Sequence, residues 1–334
     1  MNPVFVTGAA GFVGSAMVRA LAGGGMAVRA GVRRIDGRPC PDGVEPVLAD
    51  VLDRGALEQA FAGCDAVVHC AIGGPRDTRV ITEGTANALA AASVAGVTRF
   101  IHLSSVAVYG DRAGEFDEGA ATSSPAGAYG RAKLEAEQAC AAAPAGMAVA
   151  VLRPTLIYGP GSDQWVVRYL DRILSGRWGR LGAAGDGDCN LIHVDDLAAF
   201  ARHLLVQEWT GYRVFNVNGT DIPTWNRYLE GLADALGAPL SAGSSLPGGA
   251  TLALRKLAKA ALTIGSRAGV EVAPLRRWVD HTPSADEVAR FSRKVRYLCA
   301  PMAETGFAPA TSLDDGIAGI AAWHRAGRPG VGWS

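Results

Sequence analysis

Eight residues near the start, TGAAGFVG at 7–14, limit what this chain can fold into more than any other stretch. They follow a short apolar run at 4–6 and lead into a helix-like segment at 15–21, so Gly8, Gly11 and Gly14 sit in a strand-to-helix turn. Glycines there permit a tight turn and let backbone N–H groups and a helix N-terminus approach a pyrophosphate. The turn, with Phe12 and Val13 inside it, predicts a dinucleotide-binding loop.

Further strand-like runs recur at 27–32, 66–70, 100–103 and 148–152, separated by helix-like stretches rich in alanine and leucine. That alternation predicts an α/β fold whose doubly wound parallel sheet is covered on both faces. At 334 residues the chain suits one main domain with a smaller attached lobe, and 49% apolar residues suffice for a large core. Lysine plus arginine and aspartate plus glutamate both total 32, so no global charge recruits nucleic acid or a membrane. The six cysteines form no CxxC pair and share no metal-ligand spacing with the six histidines, which argues against a disulfide framework and a zinc site. No run approaches the length of a membrane span, so the expectation is a soluble, cytoplasmic protein without membrane insertion.

The second strand should end beside an adenosine ribose, where a carboxylate would bind a free 2′-hydroxyl and arginine a 2′-phosphate. Here VRAGVRR supplies Arg33 and Arg34, with no carboxylate before Asp36, which favours NADP(H) while leaving NAD(H) possible. Both arginines could instead solvate a loop. In VLADVLD, Asp50 follows a third strand, with Val51 beside it; the carboxylate can accept from an adenine amino group or serve its own turn.

Three later stretches carry the chemistry: LSSVAVYG at 103–110, AYGRAKLEAEQ at 128–138 and LRPTLIYGPG at 152–161. Tyr129 and Lys133 are four apart, so on a helix they project from one face within mutual reach. A nearby ammonium favours phenolate, so the tyrosine pKa should fall from about 10 toward a useful value. With TGAAGFVG, these stretches resemble the extended short-chain dehydrogenase/reductases, which include nucleotide-sugar epimerases, dehydratases and reductases. DAVVHCA, NLIHVDDLAAF and ETGFAPATSLDDGIAGIAAWHR extend the resemblance through most of the chain.

The resemblance implies a Rossmann-like sheet with a discontinuous C-terminal substrate lobe. It divides the chain into a dinucleotide-binding domain at 1–160 and 190–220, a substrate lobe at 161–189 and 221–310, and a C-terminal helix and tail at 311–334. It also implies Ser105, Tyr129 and Lys133 as catalytic residues, with Lys133 and Tyr129 touching the cofactor as well, and Ala71, Ile72 and Pro154 beside the nicotinamide. Ser104 is the weaker candidate for the catalytic serine, and either serine could simply cap the strand end. A homodimer is common in the family.

The departures narrow the reaction. Related dehydratases carry an acidic pair after the catalytic threonine, because eliminating water needs an acid and a base beyond tyrosine; here those positions are Val106 and Ala107. The glutamate of related decarboxylases and the cysteine and histidine pair of 3,5-epimerases find no match. What remains is hydride and proton transfer at one carbon. NADP(H)-linked reduction of a ketone on a nucleotide-sugar-like substrate, or oxidation of the alcohol, leads. Three alternatives stay open: a nucleotide-sugar 4-epimerase with retained NAD, a dihydroflavonol- or 3β-hydroxysteroid-type reductase, and a non-catalytic cofactor-binding scaffold. Leu156 and Ile81 stand where nucleotide-sugar relatives often have asparagine, which weakens that substrate class.

In the lobe, WVVRYLDRILSGRWGRL offers Arg168 and Arg177, with Ser105 and Tyr129, as contacts for a possibly anionic small molecule. Most of the lobe's many arginines could equally be solvated surface. The basic amphipathic stretch LALRKLAKAALTIGSR could pack as an ordinary helix, cover the pocket or rest on a lipid surface. His193 reads as a structural residue at the lobe junction, and Trp225 as a core residue opening a helix.

Overall fold

Apolar runs that lack a polar face must be covered on both sides, and these pair edge to edge to achieve it. The computed structural model describes residues 2–35, 40–74, 77–176, 178–240, 246–267, 272–330 and 332. The chain begins β1 (Val4–Thr7), α1 (Phe12–Gly23), β2 (Val28–Val32), β3 (Val44–Leu48), α2 (Arg54–Phe61), β4 (Ala66–His69), α3 (Arg79–Val94) and β5 (Arg99–Leu103). A 3-10 turn at Val106–Tyr109 then precedes β6 (Gly114–Phe116), α4 (Gly127–Ala141), β7 (Ala148–Pro154) and β8 (Leu156–Tyr158). Next come α5 (Arg168–Leu174), β9 (Leu191–His193), α6 (Val194–Val206), β10 (Tyr212–Val217), α7 (Trp225–Ala235) and α8 (Gly249–Arg267). The last elements are α9 (Ala273–His281), α10 (Ala285–Ser292), β11 (Val295–Tyr297), α11 (Ala300–Glu304) and α12 (Leu313–Arg325).

Seven strands form one parallel sheet in the order β10-β7-β5-β4-β1-β2-β3, a Rossmann-like doubly wound fold. Side chains alternate across it: Val4 and Val6 join a core with α1 and α6, whereas Phe5 joins one with α2 and α3. The strand order runs outward in both directions from β1 and β4, so the crevice at their C-terminal ends is the topological switch point where such sheets bind ligands.

The five strand-like runs read from the sequence all lie in this sheet. Its two edges were harder to read. β3 contains Pro46, tolerated because an edge strand needs only one set of ladder bonds. β10 starts with exposed Tyr212 and Arg213 and has Asn216 near its end, so its apolar pattern is broken.

A further core joins α5, α7, α10 and α12 around Tyr169, Trp225, Tyr228 and Phe291, with Trp225 buried as the first residue of α7. Two small parallel pairs, β8 with β9 and β6 with β11, bring distant segments together. His193 ends β9 and caps α6, its Nδ1 accepting from the Asp195 N–H at 3.3 Å.

Candidate active site

The glycine turn lies at the mouth of the switch-point crevice. Gly8 has φ 63°, and a Cβ on Gly14 would stand 2.1 Å from the Gly8 carbonyl oxygen, so only glycine allows α1 to start this close to β1. α1 has Gly11 as its N-cap, with no side-chain cap and no acidic residue in its first turn. Its positive end is therefore left to an anion, and the loop fits a dinucleotide pyrophosphate. Phe12 and Val13 pack partly against the sheet core and hold the helix start in place.

Arg33 and Arg34 are exposed immediately beyond β2, and neither makes an ion pair among the described residues. Asp36 lies outside the described residues. Asp50 does serve its turn, Oδ1 accepting from Leu52 N–H at 3.0 Å, while Val51 is buried and its carbonyl accepts from Asn87 at 3.1 Å. Ala71 and Ile72 follow β4, with Ile72 exposed, and Pro154 is the buried last residue of β7.

The ends of β1 and β4 are locked together by one hydroxyl. Thr7 Oγ1 accepts from the N–H groups of Cys70 and Ala71 at 3.1 and 3.2 Å and lies 2.9 Å from His69 Nδ1. Its own proton therefore goes to Nδ1, which leaves the His69 proton on Nε2, facing Thr85 Oγ1 at 3.2 Å. Burial, with the charge of Lys133 nearby, holds His69 down to about 3, so the ring stays neutral in this role.

Ser105, Tyr129 and Lys133 come together where β5 ends against the start of α4. Ser105 caps the 3-10 turn, its hydroxyl oxygen accepting from Ala107 N–H at 3.2 Å, and the same hydroxyl acts to lower the Tyr129 pKa. Lys133 is 2% exposed, donates to the Leu103 carbonyl at 2.5 Å, and has Nζ 5.8 Å from the centre of the Tyr129 ring. Gly130 makes the approach possible. A Cβ there would lie 2.6 Å from the Ala107 carbonyl oxygen.

The electrostatics differ from the simplest expectation. Tyr129 is 43% exposed, yet its pKa is raised, because desolvation of the phenolate outweighs the lowering effect of the Ser105 hydroxyl. The lysine is the more perturbed partner: burial pulls Lys133 down to about 8, opposed by nearby groups that include the Glu137 carboxylate. Charge proximity alone misses this, since desolvation acts on both groups.

Behind these residues runs a buried polar network that spacing does not reveal. Ser104 donates to Glu137, and Glu137 pairs with Arg153 through contacts of 2.6 and 3.0 Å. Arg153 also donates to the Tyr109 hydroxyl at 2.7 Å, which donates in turn to Asn216 Oδ1 at 2.7 Å. The chain of contacts joins the end of β5, α4, β7, the 3-10 turn and β10, and so fixes the floor under Ser105 and Lys133. Ser104 thus has a buried partner of its own.

The lobe arginines are largely engaged. Arg168 pairs with Glu287 at 2.9 Å, and Arg172, 1% exposed, pairs with the same carboxylate at 2.8 Å and donates to the Asp280 carbonyl at 2.8 Å. Arg255 donates to the carbonyls of Val279 and Thr282, and Arg293 pairs with Asp111 at 2.8 Å. Arg177 lies outside the described residues.

Residues 4–218 match the family model described as the NAD dependent epimerase/dehydratase family. The chain belongs to that family. Among family relatives, a 2-alkyl-3-oxoalkanoate reductase of Stenotrophomonas maltophilia is 32% identical over 71% of this chain and 76% of its own length. The N-acetyl-alpha-D-glucosaminyl-diphospho-ditrans,octacis-undecaprenol 4-epimerase of Escherichia coli O157:H7 is 33% identical, and the match covers 51% of this chain and 54% of that protein, less than two thirds of its length. A 4-hydroxy-2-methyl-3-oxo-4-farnesyl-3,4-dihydroquinoline-1-oxide ketoreductase of Stigmatella aurantiaca is 32% identical over 52% of this chain and 56% of its own length. In fold, the chain is similar to the UDP-glucose 4-epimerase of Thermotoga maritima, with a TM-score of 0.71, 21% identity and 97% and 99% of the two chains covered. It is likewise similar to the NAD complex of the UDP-glucuronic acid 4-epimerase of Bacillus cereus, with a TM-score of 0.72, 19% identity and 96% of each chain covered.

Proposed function

We propose that this family member is an NADP(H)-linked ketoreductase, with Ser105, Tyr129 and Lys133 as its catalytic residues. The observation that carries the reading is their assembly beside the glycine turn, with no acid or base at Val106 and Ala107 to support elimination. Gly8, Gly11, Gly14, Asp50, Ala71 and Pro154, in the domain at 1–160 and 190–220, would hold the cofactor, and the substrate would face the lobe at 161–189 and 221–310. Arg33 and Arg34, exposed at the ribose end of β2 and without an ion pair among the described residues, support the 2′-phosphate form.

When bound, the nicotinamide supplies hydride to the carbonyl carbon. Tyr129 gives its hydroxyl proton to the carbonyl oxygen. Ser105, already accepting from Ala107, has one proton to offer and orients it between Tyr129 and that oxygen. The Lys133 ammonium stabilises the negative charge that develops on Tyr129 during transfer.

Internal pairing of Arg168, Arg172 and Arg255, together with Leu156, supports a ketone without a diphosphate. The alkyl and farnesyl substituents named for two reductase relatives point the same way. A second reading, 4-epimerisation of a sugar diphosphate with retained NAD, is supported by the Escherichia coli relative. The free thiols Cys64, Cys70, Cys140, Cys189 and Cys299 support action in a reducing cytoplasm, and the family resemblance supports a homodimer.

The test is nicotinamide absorbance with NADPH and a panel containing a 2-alkyl-3-oxoalkanoate, a dihydroflavonol and a 4-keto nucleotide sugar. Turnover of one ketone is expected, falling about 10²–10⁴-fold in Tyr129→Phe. Loss with none of them, or NAD released from denatured protein together with 4-epimer interconversion, overturns the reductase reading.

A further inference from the structure

α8 turns an apolar stripe to solvent. Leu254, Leu257 and Ile264 are 59%, 68% and 68% exposed, and with exposed Ala261 between them they recur at the three-and-four spacing of one helix face. Single exposed leucines are ordinary, but a row of them on one helix is a surface with a use. The outward orientation is fixed from behind: Arg255 is buried on the opposite side and donates to the carbonyls of Val279 and Thr282, fastening α8 to α9 and the turn that follows it. Leu252, Ala258 and Leu262 are half-buried on that inner side.

The charge around the stripe selects its occupant. α8 contains Arg255, Lys256, Lys259 and Arg267 and no acidic residue, with Lys256 exposed beyond one border of the stripe and Lys259, four residues after Arg255, exposed on the far side. α9, packed on α8, adds exposed Arg276 and Arg277 against one acid, Asp280. A second copy of the chain meeting this face about a two-fold axis would set one basic helix beside another, with no acid on α8 to pair across the contact. A negatively charged sheet of apolar material matches both features at once. No helix among the described residues is long and apolar enough to cross a membrane, so the contact is one of lying on the surface.

We propose that the α8 face docks the protein on an anionic lipid bilayer, with Leu254, Leu257 and Ile264 entering the acyl boundary, Lys256 meeting the headgroups and the remaining cations of α8 and α9 adding longer-range attraction. The inference does not depend on the reaction catalysed. It is the third of the arrangements open to this stretch in the sequence, and the exposure of its apolar face is what separates it from ordinary packing.

The experiment is flotation of the full chain with vesicles of phosphatidylglycerol and phosphatidylcholine, against vesicles of phosphatidylcholine alone. The wild-type chain is expected to float with the anionic vesicles at low salt and to be released as salt rises. Leu257→Ser with Ile264→Ser, and separately Lys256→Glu with Lys259→Glu, should each lower the bound fraction about tenfold or more, with circular dichroism unchanged because all four residues are exposed. Absence of flotation overturns the proposal, as does flotation indifferent to the serine pair. So does a solution dimer that the serine pair dissociates without any vesicle binding, which would assign the face to self-association.

Discussion

Lys133 carries its charge where the fold leaves it little water. Its folded pKa of about 8 lies below the ordinary 10.5, so between those values the unfolded chain holds a proton that the native chain has released. The native state therefore gains stability from this group as pH rises through that window, and below pH 8 it bears the cost of a buried ammonium. Lys133→Met removes the titration. Relative to wild type, the methionine variant should fare better at pH 7 than at pH 10, by about 2 kcal/mol in the difference of unfolding free energies. Urea denaturation at the two pH values measures it, and a difference that stays flat with pH contradicts the assignment. The comparison between pH values matters because the substitution also leaves the Leu103 carbonyl without its donor at both.

At the scale of elements, the candidate site depends on how closely α4 lies against the 3-10 turn after β5. Gly130 sets that distance, its missing Cβ leaving room for the Ala107 carbonyl oxygen 2.6 Å from where the methyl would be. Gly130→Ala should push the helix start away and part Tyr129 from Ser105, lowering kcat about tenfold or more and costing about 1–3 kcal/mol of stability while the sheet persists. Stopped-time assays and urea unfolding on the same preparation would check both, and full activity would show that the turn yields instead. Spacing within one element was what the sequence made legible: the glycine turn and the four-residue step from Tyr129 to Lys133 are local. Pairings across elements were not, because nothing in local periodicity ties Ser104 to Glu137, 33 residues on, or Arg172 to Glu287, 115 residues on. The stripe on α8 was visible as a pattern, but which side of the helix the fold would cover is decided by Arg255 and its distant carbonyl partners.

Across the whole molecule, equal numbers of acids and bases conceal an uneven use of charge. The lobe spends Arg168, Arg172 and Arg293 on internal carboxylates, while Arg33 and Arg34 at the end of β2 keep theirs for solvent or a ligand. A ligand that binds only the folded chain stabilises all of it, by about 2.7 kcal/mol at one hundred times its dissociation constant. If the β2 arginines read a 2′-phosphate, NADPH should raise the melting temperature more than NADH at equal concentration. Arg33→Ser with Arg34→Ser should erase that margin by weakening NADPH and leaving NADH nearly unchanged, because both side chains are exposed and make no ion pair among the described residues. A thermal-shift series with the two cofactors on both proteins decides it. Equal shifts in the wild-type chain would return Arg33 and Arg34 to the role of loop residues and NAD(H) to the crevice.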